Sequence, residues 1–203
     1  MTIKKWADGS SPREVILQAS IKEFAENGYT SGSMNSIARD AGITRQLLLH
    51  YFPNKKALLI AVLDERDARL TTEWPDPVHV PFETFAAQFD QMFPAIYAEA
   101  EILRLSHRLI AEAADPDHPA HDWMVSRERA IRGKLEQVYS GAVERGELPP
   151  WVNASALAVT TLGAVEGIER QWLVDPELDW QAAIRSLRQL VVALARTAPA
   201  PVL

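Results

Sequence analysis

Arg45, Gln46 and His50 share one short stretch, RQLLLHYF, which follows Thr44 and stops at Pro53. An arginine can give paired hydrogen bonds to guanine O6 and N7, and a glutamine can pair with adenine N6 and N7. Such chemistry reads bases and makes no bond. It requires the side chains to project from a rigid helix that fits the major groove of double-stranded DNA. A second set lies farther along. Phe89 and Phe93, with Trp123 and Trp172, could wall a pocket. Tyr97, His107, Arg127, Glu166, Glu169 and Arg170 could be the few polar groups that fix a small molecule within it. The same aromatic residues would serve equally as plain core. Both charge signs occur among the polar ones, so the ligand's charge stays open.

Other chemistry finds no support. His118 and His121, with Asp115, Asp117 and Asp122, are metal-ligand types close together, but their spacing matches no closed site and reads as a polar loop with no metal. There is no phosphate loop, no Gly-x-Ser-x-Gly elbow, no His-Glu-x-x-His and no cysteine. The chain reads as no enzyme, and no cofactor is expected.

The elements that position the base-reading residues come from Ser33 to Lys55, SMNSIARDAGITRQLLLHYFPNK. Ser33 suits the cap of a helix on which Met34, Ile37 and Ala38 form one apolar face. Gly42 supplies the permissive backbone of a sharp turn, and Ile43 can plug the gap beside it. Thr44 caps a second helix, Arg45 to Phe52, which Pro53 cannot continue. This is the pattern of a helix-turn-helix. Leu48 lies four residues before Phe52 and is expected in the core. Leu49 either meets a thymine methyl or packs.

With its flanks, the stretch Arg13–Leu59 resembles the N-terminal domain of the tetracycline-repressor (TetR-type) family of bacterial transcription regulators. The resemblance is carried by Ile16-Leu17, Ala19-Ser20, Phe24 and Gly28-Tyr29 in the first helix. Ile37-Ala38 and Ala41-Gly42-Ile43 carry it through the turn, and Tyr51-Phe52, Lys55 and Leu58 beyond it. In the family, the positions of Ser33, Thr44, Tyr51 and Lys55 contact phosphates, which fixes register without reading sequence. Two positions depart from the pattern. Gln46 stands where the family has a small residue, and Leu49 stands where a tyrosine usually touches the DNA backbone.

The rest of the chain is all-α by pattern, with sparse glycine and no alternating strand signal. Helices are expected over residues 12–28, 54–73, 82–93, 95–114, 123–145, 154–173 and 180–197. Trp74-Pro75-Asp76-Pro77 should stop the second of these, and Pro94 should break or kink the third. Two modules follow: a DNA-binding head over 1–60 and a helical body over 61–203. The head carries 8 Lys/Arg against 5 Asp/Glu and the body 13 against 22, within an overall charge of −6. An acidic body and a basic tip would orient the protein on approach to DNA. Lys4 and Lys5, on a polar arm, could reach a phosphate or the minor groove. No apolar run approaches the ~20 residues a membrane helix needs, and no signal peptide is evident. With cysteine absent, a cytoplasmic location is expected.

Small residues Ala156, Thr160, Gly163 and Gly167 form a stripe on the penultimate helix. Ile184, Leu187, Leu190, Val191 and Leu194 form an apolar face on the last. The resemblance implies that these two helices build a homodimer, and that a small-molecule effector bound in the body releases a near-palindromic operator. Two other readings use the same residues: a helical ligand-binding or interaction protein whose head does not bind DNA, and a helical enzyme built on the acidic body.

Overall fold

A computed structural model describes residues 11–71 and 80–195. Every regular element among them is a helix. In order these are α1 (Pro12–Ser31), α2 (Met34–Asp40), α3 (Arg45–Tyr51), α4 (Lys55–Thr71), α5 (Phe82–Phe89), a 3-10 turn (Asp90–Met92), α6 (Phe93–Ala98), α7 (Ala100–Glu112), α8 (His121–Glu144), α9 (Ala154–Val174) and α10 (Trp180–Leu194). The arm with Lys4 and Lys5, the stop at 74–77 and the final tail lie outside the described residues. The chain divides into two compact units: Met1–Thr71 with Glu99–Met124, and Thr72–Ala98 with Val125–Leu203.

Caps set most helix starts. Ser11 and Glu14 form a reciprocal capping box ahead of Pro12. Asn54, Asn153 and Asp179 each accept a backbone N–H three residues on, at 2.8, 2.9 and 2.8 Å.

In the first unit, Ile16, Ser20 and Phe24 form the sealed stripe of α1 that their spacing predicts, each at 0% exposure. Ser20 tolerates burial because its hydroxyl donates to the Ile16 carbonyl at 2.6 Å. Around α1 pack Ile37 and Ala38 of α2, Leu48 of α3, and Leu58, Leu59, Val62 and Leu63 of α4. Leu105 and Leu109 of α7 close the same core. Each fully buried leucine, isoleucine or phenylalanine is worth about 1.5–3 kcal/mol of transfer free energy.

The helical dihedrals of α1 are interrupted at Gly28, which takes φ 74° and ψ 174°. Two side chains of α7 hold this point. Arg108 donates to the Glu26 carbonyl at 2.8 Å, and Glu112 accepts the backbone N–H of Tyr29 at 3.2 Å. The positive φ at Gly28 favours glycine, and a Cβ there would fall 2.5 Å from Glu112 Oε1 and displace that side chain from the clamp.

In the second unit, Phe82, Phe85, Phe89 and Phe93 are all buried. They do not share one helix, as the spacing suggested. The helix stops at Phe89, and a 3-10 turn leads into α6 with Pro94 in its first turn. Pro94 has no N–H to give the Asp90 carbonyl and its ring would clash with it, so the break falls ahead of the proline. The expected helix over 95–114 is also divided. Glu99 leaves helical geometry at φ −108°, ψ 60°, where the chain passes from one compact unit to the other. Tyr139 of α8, 1% exposed, shares a hydrogen bond with Thr161 of α9 at 3.0 Å. Burial pushes its phenol up to about 12, against the lowering effect of that bond.

Candidate nucleic-acid interface and candidate ligand region

The turn before α3 is built by Gly42, whose φ of 63° lets its own N–H reach the Arg39 carbonyl and the Ile43 N–H reach that of Ala38, both at 2.9 Å. Ile43 is half-buried there, as a plug should be. Thr44 then accepts the Leu47 N–H at 3.2 Å and starts α3. Leu48 at 0% exposure and Phe52 at 5% fasten the helix to the core and fix its phase. Arg45, Gln46, Leu49 and His50 are therefore left on its exposed side. Tyr51 is exposed too and meets His50 edge-on, 5.7 Å between ring centroids. Leu49, 37% exposed, is a surface residue in this chain.

The phosphate candidates differ in how much hydrogen-bonding capacity they have left. Ser33 and Thr44 use hydroxyl lone pairs to cap α2 and α3, at 3.4 and 3.2 Å. Each keeps its O–H as a donor for a phosphate oxygen. Lys55 is drawn inward: its ammonium donates to the Thr30 carbonyl at 2.9 Å and sits 4.6 Å from the centroid of the Tyr29 ring. Burial lowers its pKa, opposed by the carboxylates of Glu23 and Glu112.

Glu23 plays a part that no local pattern announces. Buried at 7% exposure on α1, it accepts the Ser33 N–H at 2.8 Å and so orients the start of α2. The spacing of 10 residues and the glutamate's ordinary place in a helix gave no signal.

The ligand candidates fall into two groups. Phe89, Phe93, Tyr97, Arg127, Glu166, Glu169, Arg170 and Trp172 belong to the second unit, His107 and Trp123 to the first. Trp123 donates its indole N–H to Asp64 at 2.8 Å and packs on the core around α1. His107 is half-buried on α7. Phe89 meets Phe93 edge-on at 5.1 Å and lines a small apolar crevice with Phe85, Tyr139 and Val191. Tyr97, 6% exposed, lies edge-on to Trp172 at 5.0 Å and stacks on Trp180 at 3.9 Å. Burial, then the negative charge of Glu169, pushes the Tyr97 phenol far up, so it stays a neutral donor. Glu169 itself is buried, Glu166 half-buried and Arg170 exposed. Arg127 pairs with Glu128 at 3.2 Å. The structure thus brings Tyr97, Glu169 and Trp172 together and adds Trp180, which the sequence pattern had placed only as the start of a helix.

The histidine loop is occupied with its own backbone. His118 Nδ1 accepts the Ala120 N–H at 3.2 Å, and His121 Nδ1 lies 2.8 Å from the Ala113 carbonyl. No helix among the described residues is long and apolar enough to cross a membrane.

Residues 16–62 match the family model described as bacterial regulatory proteins, tetR family. The chain is 27% identical to the HTH-type transcriptional regulator SrpR of Pseudomonas putida over 168 residues, covering 83% of this chain and 76% of SrpR. It is 26% identical to the HTH-type transcriptional regulator TtgR of Pseudomonas putida over 178 residues, 84% of each. Its fold is that of the transcriptional regulator FadR from Bacillus subtilis, solved in complex with stearoyl-CoA. There the TM-score is 0.72 at 19% identity, over 89% of this chain and 97% of FadR.

Proposed function

We infer the function from one premise: this chain is a TetR-like transcriptional regulator. It binds double-stranded DNA in sequence-specific fashion through α3, with residues 1–60 as the reading head. The second compact unit, Thr72–Ala98 with Val125–Leu203, forms a body that binds a small molecule and pairs with a second copy. The observation that carries this reading is the split of α3 into a sealed side, Leu48, and an exposed side that presents Arg45, Gln46 and His50 together. Base edges need such a fixed polar face. The relatives named as regulators, and a like-folded neighbour holding an acyl-CoA, support the pairing of head and body.

Pairing of two copies is supported by α9 and α10. Gly163 and Gly167 sit mid-helix, where each glycine costs about 1 kcal/mol relative to alanine. Among the described residues, a Cβ at either would meet nothing within 4 Å. A close approach by a second copy would account for glycine at these two positions. Val159 at 55% and Leu190 at 69% exposure add apolar surface on the same two helices. A twofold pair would set two α3 helices about 34–36 Å apart, or a multiple, and read an inverted repeat. The effector would act by population shift, favouring a head spacing that no longer fits successive grooves, and so relieve repression in the cytoplasm.

Selection of bound duplexes from a random pool tests the reading. Enrichment of an inverted repeat is expected. A pool that shows no enrichment, or a motif without twofold symmetry, rejects it.

A further inference from the structure

The Tyr97 hydroxyl is sealed from water and has no hydrogen-bond partner. An orphaned phenol inside a fold costs free energy, and a group of this kind needs an explanation. Its surroundings suggest one. The Trp180 indole lies flat on the Tyr97 ring, 3.9 Å between centroids and 7° between planes. Trp172 meets the same ring edge-on, at 70°. Trp180 is the first residue of α10, directly after the cap Asp179, and is itself half-buried. Asp179 caps this helix start, so the Trp180 ring can turn about its own side-chain bonds while the backbone stays in place.

We propose that Trp180 occupies the place of a ligand ring, and that the body takes a flat aromatic molecule that stacks on Tyr97, accepts its O–H and carries no negative charge. The proposal rests on the reading of the body as the effector domain and adds the ligand's chemical class. Exchanging one stacked ring for another keeps the aromatic contact. It also gives the Tyr97 hydroxyl an acceptor. Glu169 is buried on α9 one turn before Trp172, whose ring meets Tyr97 at 5.0 Å, so its carboxylate lies on the same side of the site; it also helps raise the Tyr97 pKa, and an anionic ligand would meet that charge.

Naphthamide and naphthoate, one flat ring system differing by a charge, are the probes, followed by equilibrium dialysis against the full chain. Naphthamide is expected to bind and naphthoate to bind at least about tenfold more weakly. Tyr97→Phe keeps the ring and the stack but removes the donor; it should weaken naphthamide about tenfold, the worth of one hydrogen bond. Thermal melts verify that it folds, since losing an orphaned hydroxyl should not destabilise it. Trp180→Ala should hold naphthamide at least as tightly, because the slot is then open. Absence of naphthamide binding, equal binding by Tyr97→Phe, or equal binding of naphthoate overturns the proposal. A gel shift on the selected operator separates the two levels. Operator binding by a chain that fails to bind naphthamide defeats this site alone. Tyr97-dependent naphthamide binding without DNA binding defeats the regulatory reading and leaves the site standing.

Discussion

The ammonium of Lys55 lies over the ring of Tyr29, 4.6 Å from its centroid, and gives a hydrogen bond to the carbonyl of Thr30 at 2.9 Å. One side chain from the first turn of α4 therefore fastens the end of α1, and the proposed function asks a phosphate contact of the same side chain. Lys55→Ala should lower stability by about 1 kcal/mol through the lost cation–π and hydrogen-bond contacts. It should also reduce the slope of log affinity against log salt by about one. Melts and shift assays over a salt series check both; a lower melting point with an unchanged slope would assign Lys55 to structure alone.

Adjacent leucines on α3 should behave oppositely. Leu48, at 0% exposure, leaves a cavity when cut to alanine, and a loss of about 3 kcal/mol is expected, with DNA binding falling alongside. Leu49, at 37%, should change stability by no more than about 0.5 kcal/mol. Denaturant titration of the two variants decides. A large loss at Leu49 would mean that α3 is rotated from its described phase.

Arg45→Ala and Gln46→Ala should each relax preference at particular base pairs, with discrimination falling by about 1–3 kcal/mol there. Affinities measured across single-base operator variants give the pattern. Uniform weakening over all variants would mean that these side chains meet only the backbone.

The α3 face was readable before any coordinates because its causes are local. Thr44, Leu48, Phe52 and Pro53 fix the start, phase and end of a seven-residue helix within ten positions of sequence. The caps at Ser33, Asn54, Asn153 and Asp179 are local in the same sense. What escaped the sequence is long-range. Arg108 and Glu112 meet the end of α1 across 82 and 83 residues, with no periodicity to reveal it. The break at Glu99 carries no proline or glycine. Trp180 looked like an ordinary first-turn residue, because its stacking partner is supplied by a helix far back in the chain.

Gly163→Leu and Gly167→Leu should fold as single chains, since a Cβ at either meets nothing within 4 Å among the described residues. Both should shift sedimentation toward the monomer and weaken operator binding at least about tenfold by removing the second head. Dimers that persist with full affinity would move the interface elsewhere.

Alkaline pH should destabilise the chain through Tyr139. Its folded pKa is raised to about 12 from 10.0, so the stabilisation is complete below about pH 10 and drains away as pH rises toward 12. The loss is on the order of 2–3 kcal/mol over that window. Urea midpoints at pH about 8 and about 11 should therefore differ more for the parent chain than for Tyr139→Phe, which has no proton to lose.

The first compact unit is assembled from two pieces of sequence separated by residues that belong to the other unit. Leu105 and Leu109 reach α1 only after the chain has left the head and come back. A gene fragment ending near residue 71 would therefore encode a head with one wall missing and an apolar flank of α1 open to water. Grafting this reader onto a foreign partner requires carrying α7 along with it, so the natural unit of exchange is discontinuous in sequence.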